Sequence, residues 1–410
     1  MHHPSNDTFT ENIVLPSPHS LTLEKSVLNV RRTCIVAITT ALFACSKAND
    51  GENAGDPPWT GGDDTSDPVQ EPTDVSSTLE PIRSEYGLPA LAAVRLADGI
   101  VTHQGVTGVR RSDDDVRATV DDKWHLGSCT KAMTSTLVAI HVDAGLLDWT
   151  TTMEAIFPDI DDMHEDFRDV TMEMLLSHTG GIDDADANNA AVQTFVPGVD
   201  DTRWRSAITK RILQNPRSAD VGVLNYSNFG YVIAGAVLEH LTATTWEDLM
   251  RASLFDPLEM SGCGFGPPAT SDASQPWGHD ASGEPTFLDN PSVLGPAGTV
   301  HCPLAAWGRF ISDQLRAYNG EASILSAEQA SQMFTVHDDN YAMGWIVVDR
   351  SANDGGPFFG HTGSNTYSFA DVFVLPADNQ AFLVTTNRAQ RTDYAAVQAT
   401  TAALIALDEG

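Results

Sequence analysis

The apolar positions of this 410-residue chain change their spacing along the sequence, and the spacing predicts where strands and helices lie. Two short apolar stretches, Leu91–Leu96 and Ile100–Gly108, are separated by Asp98-Gly99, a pair typical of a β-hairpin turn. From Ser128 to Ala144 most residues are apolar or small, and Gly145 follows where a helix would end. Because such a helix is apolar on most faces, we expect it in the centre of the domain.

The remaining predicted elements place strands at both ends of the chain and helices between them. Helical spacing covers residues 170–177, 227–242, 246–254, 303–317 and 326–334. Strands are predicted at Tyr341–Asp349, Ser368–Leu375 and Gln380–Thr386, and a closing helix at Thr392–Leu407. This order predicts an α+β fold in residues 78–410: one antiparallel sheet built from both chain ends, flanked by helices, with an inserted helical subdomain.

An apolar stretch near the amino end predicts a leader. Thr33–Ala44 follows Arg31-Arg32 and runs directly into Cys45. It is shorter than the ~20 residues that span a bilayer, but it has the length of the hydrophobic part of a secretory signal. Leu42–Cys45 is similar to a bacterial lipoprotein signal, in which Cys45 becomes lipidated. We therefore expect residues 1–45 to be a leader and the protein to be exported, periplasmic or anchored to the outer membrane; a short buried core segment is the alternative.

Residues 46–77 form a second compositional segment. They are rich in carboxylates, proline and glycine and contain a single lysine. Such a segment cannot bury enough apolar surface to offset the entropy of ordering it. We therefore expect an acidic, disordered tether between the leader and the domain.

Charge and composition exclude some classes of function. The chain carries 23 Lys and Arg against 56 Asp and Glu, a formal charge of −33. A nucleic-acid-binding protein needs a basic surface, so this class is not expected. Hydrophobic residues make up 41% of the chain, which excludes global disorder.

No metal or organic cofactor is expected. The five cysteines lack the spacing of a zinc site, and Cys263 and Cys302 either form a disulfide or remain buried thiols. Asp184-x-Asp186-x-Asn188 begins like a calcium loop, but its sixth residue is Asn189 where such a loop needs glycine.

Ser128-Cys129-Thr130-Lys131 begins the predicted buried helix. The spacing i, i+3 places the hydroxyl and the amine on one face of that helix. A serine is a weak nucleophile until a base removes its proton, and a lysine is such a base only if burial lowers its pKa from about 10.4. Because lysine is uncommon on a core helix without such a role, Ser128 is the candidate nucleophile and Lys131 its candidate base.

Two further motifs lie near the ends of predicted elements. Tyr226-Ser227-Asn228 offers a phenol that can relay a proton and an amide that can hold a substrate or the lysine; the alternative is an ordinary helix start with a packed tyrosine. His361-Thr362-Gly363-Ser364 lies just before the penultimate strand, and its glycine allows close approach of a ligand. His178-Thr179-Gly180 repeats the tripeptide but ends a helical segment, so we interpret it as structural.

In this order, the three motifs resemble the S-x-x-K, Y-x-N and K/H-T-G motifs of penicillin-recognising serine hydrolases. The resemblance covers residues 79–407. The segments that carry it read WHLGSCTK at 124–131, LLSHTGGI at 175–182, LNYSNFGY at 224–231, PAG at 296–298 and YAMGW at 341–345. They are similar to the branch that contains class C β-lactamases, D-alanyl-D-alanine carboxypeptidases and carboxylesterases. Histidine in the third motif is similar to the carboxypeptidase-like members.

The resemblance implies a β-lactamase/transpeptidase-like fold and a serine acyl-enzyme. It makes Ser128 the acylated nucleophile, Lys131 the general base and Tyr226 the proton shuttle. Asn228 would orient the substrate, and His361 would hydrogen-bond the tyrosine.

The resemblance also implies where the substrate binds. The N–H groups of Ser128 and Ser364 would form an oxyanion hole beside Thr362 and Gly363. Arg350 is the nearest cation for a substrate carboxylate.

Three activities follow from the resemblance, each with a small molecule or peptide as partner. The first is D-alanyl-D-alanine carboxypeptidase-like or β-lactamase-related amide hydrolysis. The others are a carboxylesterase of the same fold and a penicillin- or peptide-binding protein without turnover. We expect a monomer whose membrane contact is a lipid anchor.

Overall fold

The computed structural model describes residues 71–349 and 356–409. The predicted leader, its lipidation residue Cys45, most of the acidic tether and Arg350 lie outside these residues, so those expectations stay predictions. None of the described helices combines the length and the apolar composition that a bilayer crossing needs.

A seven-stranded sheet forms the centre of the described part of the chain. Its strands are β1 (Thr73–Asp74), β2 (Ala90–Ala97), β3 (Ile100–Gly108), β9 (Ile346–Val348), β10 (Phe358–Ser364), β11 (Phe369–Leu375) and β12 (Gln380–Thr386). They are ordered β1-β3-β2-β12-β11-β10-β9, and every neighbouring pair is antiparallel except the short β1–β3 contact. The predicted sheet from both chain ends is therefore confirmed.

Two smaller sheets are not paired with the central one. Their strands are β4 (Lys123–His125), β5 (Gly264–Phe265), β6 (Gly278–His279), β7 (Pro285–Thr286) and β8 (Val300–Pro303), in the orders β4-β8-β5 and β6-β7. A disulfide joins Cys263, next to β5, to Cys302 within β8. Of the two states that the sequence left open for these cysteines, the structure has the disulfide.

Helices occupy the middle of the chain and flank the sheet, as expected. They are α1 (Ser76–Glu85), α2 (Thr130–Asp143), α3 (Met153–Ile156), α4 (Glu165–Arg168), α5 (Met172–Leu176), α6 (Asp184–Thr194), α7 (Asp201–Leu213), α8 (Asn228–Thr242), α9 (Trp246–Met250), α10 (Gly295–Gly298), α11 (Leu304–Tyr318), α12 (Ala327–Met333) and α13 (Asp393–Ile405).

The central sheet is covered on both faces. Helices α1 and α13 share a buried cluster with Leu91, Ala93 and Phe382 on one face. Successive strand residues point to opposite faces, and on the other face α11 packs against β2, where Gly308 meets Leu96. The predicted central helix α2 is buried over its first ten residues, Thr130–Ala139.

Two predicted boundaries were wrong, and one strand was not predicted. Residues 73–77, assigned to the tether, form β1 and the start of α1. His361–Ser364 does precede the penultimate strand β11, as expected, but it is itself part of strand β10, which was not predicted. The strand predicted at Tyr341–Asp349 is shortened to β9, because Gly344 turns the chain with a positive φ of 81° where a Cβ would lie 2.8 Å from the backbone of Ala132.

Candidate active site

The nucleophile segment is a tight bend between a strand and a buried helix. Strand β4 ends at His125, residues Gly127–Cys129 form one turn of 3-10 helix, and α2 follows from Thr130. Gly127 has a positive φ of 50°, and a Cβ there would collide with the amide nitrogen of Ser364. Glycine is needed at this position for both reasons. The bend leaves Ser128 half-buried at the amino end of α2.

Lys131 is fully buried one helical turn after Ser128. Its Nζ lies 3.1 Å from Ser128 Oγ, 2.7 Å from Asn228 Oδ1 and 2.8 Å from the carbonyl oxygen of Ala297. The last contact comes from the PAG segment at 296–298. Burial lowers the pKa of Lys131 to about 7, against the charge of Asp184, which raises it.

This geometry aims the lysine lone pair at the serine. A neutral amine has two N–H donors and one lone pair. Asn228 Oδ1 and the Ala297 carbonyl can only accept, so they take the two N–H groups. The lone pair then faces the Ser128 hydroxyl, which is the arrangement that a general base needs.

Tyr226 and Asn228 lie at the amino end of α8. Ser227 caps this helix by accepting a hydrogen bond from the Gly230 N–H. The Tyr226 ring lies beside Lys131, with Nζ 4.8 Å from the ring centroid. Burial raises the pKa of Tyr226 well above its usual value, and a hydrogen bond with Ser128 offsets part of the rise. Tyr226 therefore keeps its proton at neutral pH and touches both members of the serine–lysine pair.

Asp184, the first residue of α6, is a site residue that was not predicted from the sequence. Its Oδ2 accepts a hydrogen bond from Asn228 Nδ2 at 2.8 Å, which forces the Asn228 oxygen to face Lys131. It also accepts from Ser227 Oγ at 2.7 Å and from the backbone at the start of α8. Asp184 begins the calcium-like pattern, but here it accepts hydrogen bonds from the amino end of helix α8.

His361 is buried in β10 with both ring nitrogens occupied. Nδ1 donates to the Thr362 carbonyl at 2.6 Å, so Nε2 accepts from the Tyr341 hydroxyl at 3.0 Å. Burial and the charge of Lys131 lower the pKa of His361 to about 3. The expected hydrogen bond from His361 to Tyr226 was wrong: Tyr341 takes that place, and the rings of Tyr226 and His361 are 6.4 Å apart.

His178 is buried behind the phenol. Helix α5 does end just before it, and its ring centroid lies 4.2 Å from that of Tyr226 and 4.6 Å from that of Tyr341. Nδ1 accepts a hydrogen bond from the Ser227 N–H at 3.1 Å. The structural interpretation of the first His-Thr-Gly therefore needs an addition: His178 also packs against the candidate proton shuttle.

The end of β10 runs alongside the nucleophile. A Cβ on Gly363 would lie 2.7 Å from the amide nitrogen of Ser128 and would collide with the Leu126 carbonyl oxygen. This brings the predicted oxyanion-hole residues Ser128 and Ser364 to one place. Thr362 and Ser364 are half-buried there. The predicted cation Arg350 lies outside the described residues.

Comparisons with known proteins show which family and fold the chain shares. The family model described as Beta-lactamase matches residues 75–407. Penicillin-binding protein 4 of Amycolatopsis lactamdurans is 27% identical over 343 residues, which cover 77% of this chain and 85% of that protein.

Two solved structures have the same fold. The octameric penicillin-binding protein homologue from Pyrococcus abyssi has a TM-score of 0.64 and 20% identity, covering 81% of this chain and 76% of that chain. The D-alanine carboxypeptidase AmpC from Burkholderia cenocepacia has a TM-score of 0.64 and 18% identity, covering 80% of this chain and 97% of that chain. The predicted transpeptidase-like fold is thus confirmed, and the chain belongs to the β-lactamase family of serine hydrolases.

Proposed function

We propose that this protein hydrolyses an amide bond next to a D-amino acid, in a D-alanyl-D-alanine-type peptide, through an acyl-enzyme on Ser128. The observation that carries the proposal is the fully buried Lys131, whose Nζ lies 3.1 Å from the Ser128 Oγ. The substrate class is supported by two relatives, a penicillin-binding protein and a D-alanine carboxypeptidase.

The reaction has two balanced steps. In the first, Lys131 takes the Ser128 proton, Oγ attacks the substrate carbonyl, and the N–H groups of Ser128 and Ser364 stabilise the oxyanion. Tyr226 gives its proton to the leaving nitrogen as the C–N bond breaks, and it takes the Ser128 proton from Lys131, so both groups are restored. In the second, water attacks the acyl-enzyme, its proton passes through Tyr226 and Lys131 to Ser128 Oγ as the C–Oγ bond breaks, and the acid is released.

A carboxylesterase of the same mechanism is the second candidate. Because His361 is neutral and both of its nitrogens are bonded, it supplies no cation for a substrate carboxylate. An ester without a carboxylate does not need one. The choice between the two activities therefore depends on whether the substrate carries a free carboxylate.

The test is active-site labelling followed by turnover. The protein is treated with a fluorescent penicillin or a fluorophosphonate, and the adduct is mapped by mass spectrometry. We expect the adduct on Ser128, lost in Ser128→Ala and kept in Ser135→Ala, a matched control in the same buried helix. An adduct on another residue contradicts the mechanism.

Turnover then separates the activities. Hydrolysis rates are compared for a D-Ala-D-Ala peptide, a cephalosporin and a short-chain nitrophenyl ester. Faster peptide hydrolysis supports the proposal, and ester hydrolysis alone favours the second candidate. A stable Ser128 adduct without release of any product identifies a binding protein instead.

A further inference from the structure

Two main-chain segments meet at the nucleophile, residues 126–128 and 363–365. Gly127 and Gly363 let their backbones touch, with a Cβ on Gly363 only 2.7 Å from the amide nitrogen of Ser128. Among the described residues, no main-chain hydrogen bond joins the two segments. Any hydrogen-bonded link between the two segments therefore runs through side chains.

The carboxylate of Asp289 is hydrogen-bonded to His125, next to the first segment, and to Asn365, within the second. His125 Nε2 donates to Asp289 Oδ1 at 2.9 Å, and His125 Nδ1 accepts the N–H of Gly127 at 3.1 Å. On the other side, Asn365 Nδ2 donates to the same Asp289 oxygen at 2.8 Å. The oxygen of Asn365 then accepts two N–H groups of the turn that follows β10.

The three side chains are almost completely removed from water. Those of His125 and Asp289 are 1% and 6% exposed, and Asn365 is 5% exposed. A carboxylate in such a place needs hydrogen-bond donors to offset its lost hydration. Here the donors are His125, Asn365 and the N–H of Asn290 at 2.7 Å. An ionised carboxylate can only accept hydrogen bonds. Since Asp289 accepts them from donors at both segments, its position depends on both segments at once.

We propose that Asp289 is a positioning residue for the oxyanion hole, holding the Ser128 N–H through His125 and the Ser364 N–H through Asn365. The inference deepens the proposed function and rests on it, because the hole acts only if Ser128 forms an acyl-enzyme. The loss of one correctly placed donor costs about 10²–10³-fold in rate in other serine hydrolases.

Asp289→Asn is the direct test. The introduced amide nitrogen is a hydrogen-bond donor, and it faces the donor of His125 or of Asn365. The two segments therefore lose the acceptor that they share. We measure the second-order rate constant for Ser128 labelling by a fluorophosphonate from pH 5.5 to 8.5, together with thermal unfolding. We expect a fall of about 100-fold at every pH, with the midpoint of the pH profile unchanged because Lys131 keeps its neighbours.

The control is Asp393→Asn. Asp393 is another fully buried carboxylate, paired with Arg388 at the start of α13, away from the nucleophile. We expect it to lower the unfolding temperature and leave the labelling rate within about threefold of wild type. An equal loss of rate in both variants would mean general destabilisation and overturn the proposal.

A swap of the two side chains tests the geometry itself. In Asp289→Asn/Asn365→Asp, the new amide accepts from His125 and donates to the new carboxylate. We expect at least a tenfold recovery over Asp289→Asn. A folded Asp289→Asn protein that labels within threefold of wild type, or one whose pH midpoint moves, overturns the inference.

Two outcomes remain to be separated. If Asp289→Asn does not fold, Asn365→Ala removes only the Ser364 side, and a rate reduced less than threefold then overturns the inference. If wild type is not labelled at Ser128, the proposed function fails, whatever the variants do.

Discussion

In the proposed mechanism, the buried amine of Lys131 acts as a base only without its proton. Burial lowers its pKa to about 7, so below that pH it is protonated and has no lone pair for Ser128. We expect the rate of Ser128 acylation to rise with pH, to be half-maximal near pH 7 and to level off above it. The labelling rate from pH 5.5 to 8.5 measures this, with circular dichroism at each pH as a check on folding. A flat profile, or one that falls with pH, contradicts a lysine base.

Asp184, at the start of α6, acts on the pKa of Lys131. Its negative charge raises the pKa of Lys131, so Asp184→Asn should move the midpoint of the acylation profile to lower pH. The substitution also weakens the cap of α8, which should cost about 1 kcal/mol of stability. The matched control is Asp183→Asn, because Asp183 caps α6 through the Ala185 N–H and does not act on Lys131. The prediction fails if both variants keep the wild-type midpoint.

The candidate residues divide into those that local sequence reveals and those that it does not. Ser128, Lys131 and Tyr226 stand in short motifs whose spacing alone brings chemistry to one helix face or helix end. Asp184 and Asp289 act on residues far away in the sequence, at contacts that only the folded chain creates. His361 was recognised, but its partner was not, because the sequence cannot choose between two tyrosines.

Strand β10 reaches the nucleophile only because Gly363 lacks a side chain. A Cβ there collides with the Leu126 carbonyl and lies 2.7 Å from the Ser128 nitrogen. We expect Gly363→Ala to push β10 away and to lower the acylation rate by about 100-fold or more, since the oxyanion donors move with it. Gly308→Ala is the control, because its Cβ would make ordinary 3.4 Å contact with Leu96. Equal activity of both variants would contradict the close approach.

The disulfide ties β5 to β8, the strand that pairs with β4 ahead of Ser128. Its cysteines are 39 residues apart, a loop whose closure stabilises the folded state by about 3–4 kcal/mol. Cys263→Ser/Cys302→Ser should therefore unfold at lower denaturant concentration by that free energy, measured by urea titration. Cys129→Ala, which removes the buried free thiol, is the comparison. A reducing agent should destabilise wild type and leave the double variant unchanged; any other pattern argues against the bond.

Elements with a regular period were predictable, and those shaped by the site were not. The hairpin of β2 and β3 follows from two short apolar stretches and from Asp98-Gly99, both residues of which have positive φ. The turn at Tyr341–Trp345 has the apolar residues of a strand, but the Tyr341 hydroxyl is hydrogen-bonded to His361 and Gly344 packs on α2. An apolar pattern reports burial and cannot distinguish a buried strand from a buried turn.

At the scale of the molecule, the chain order of strands predicted one sheet built from both chain ends. It predicted neither which strands of the two ends pair within that sheet nor the smaller sheets. Strand β12 pairs with β2, which joins the strands of the two chain ends into one sheet and brings β10 towards the nucleophile segment. The β4-β8-β5 sheet joins three short segments that no periodicity marks. Its β4–β8 pairing joins residues more than a hundred positions apart, so local spacing does not predict it.

The formal charge of −33 should make stability depend on salt. Like-charge repulsion opposes the compact state, and salt screens it. Salt also weakens exposed ion pairs such as Arg309–Glu259, but each contributes only about 0–1 kcal/mol. Because 56 acidic residues face 23 basic ones, repulsion dominates. Raising NaCl from 20 to 500 mM at pH 7.5 should therefore increase the unfolding temperature by about 2–4 °C for each kcal/mol screened.

The control for this prediction is pH. At the isoelectric point of about 4.4 the net charge approaches zero, and the same salt step should give little or no increase. A temperature rise of equal size at both pH values would come from salt effects on apolar burial, which do not depend on net charge. A fall at pH 7.5 would mean that the ion pairs outweigh the repulsion. Only an increase confined to neutral pH assigns the effect to the acidic surface.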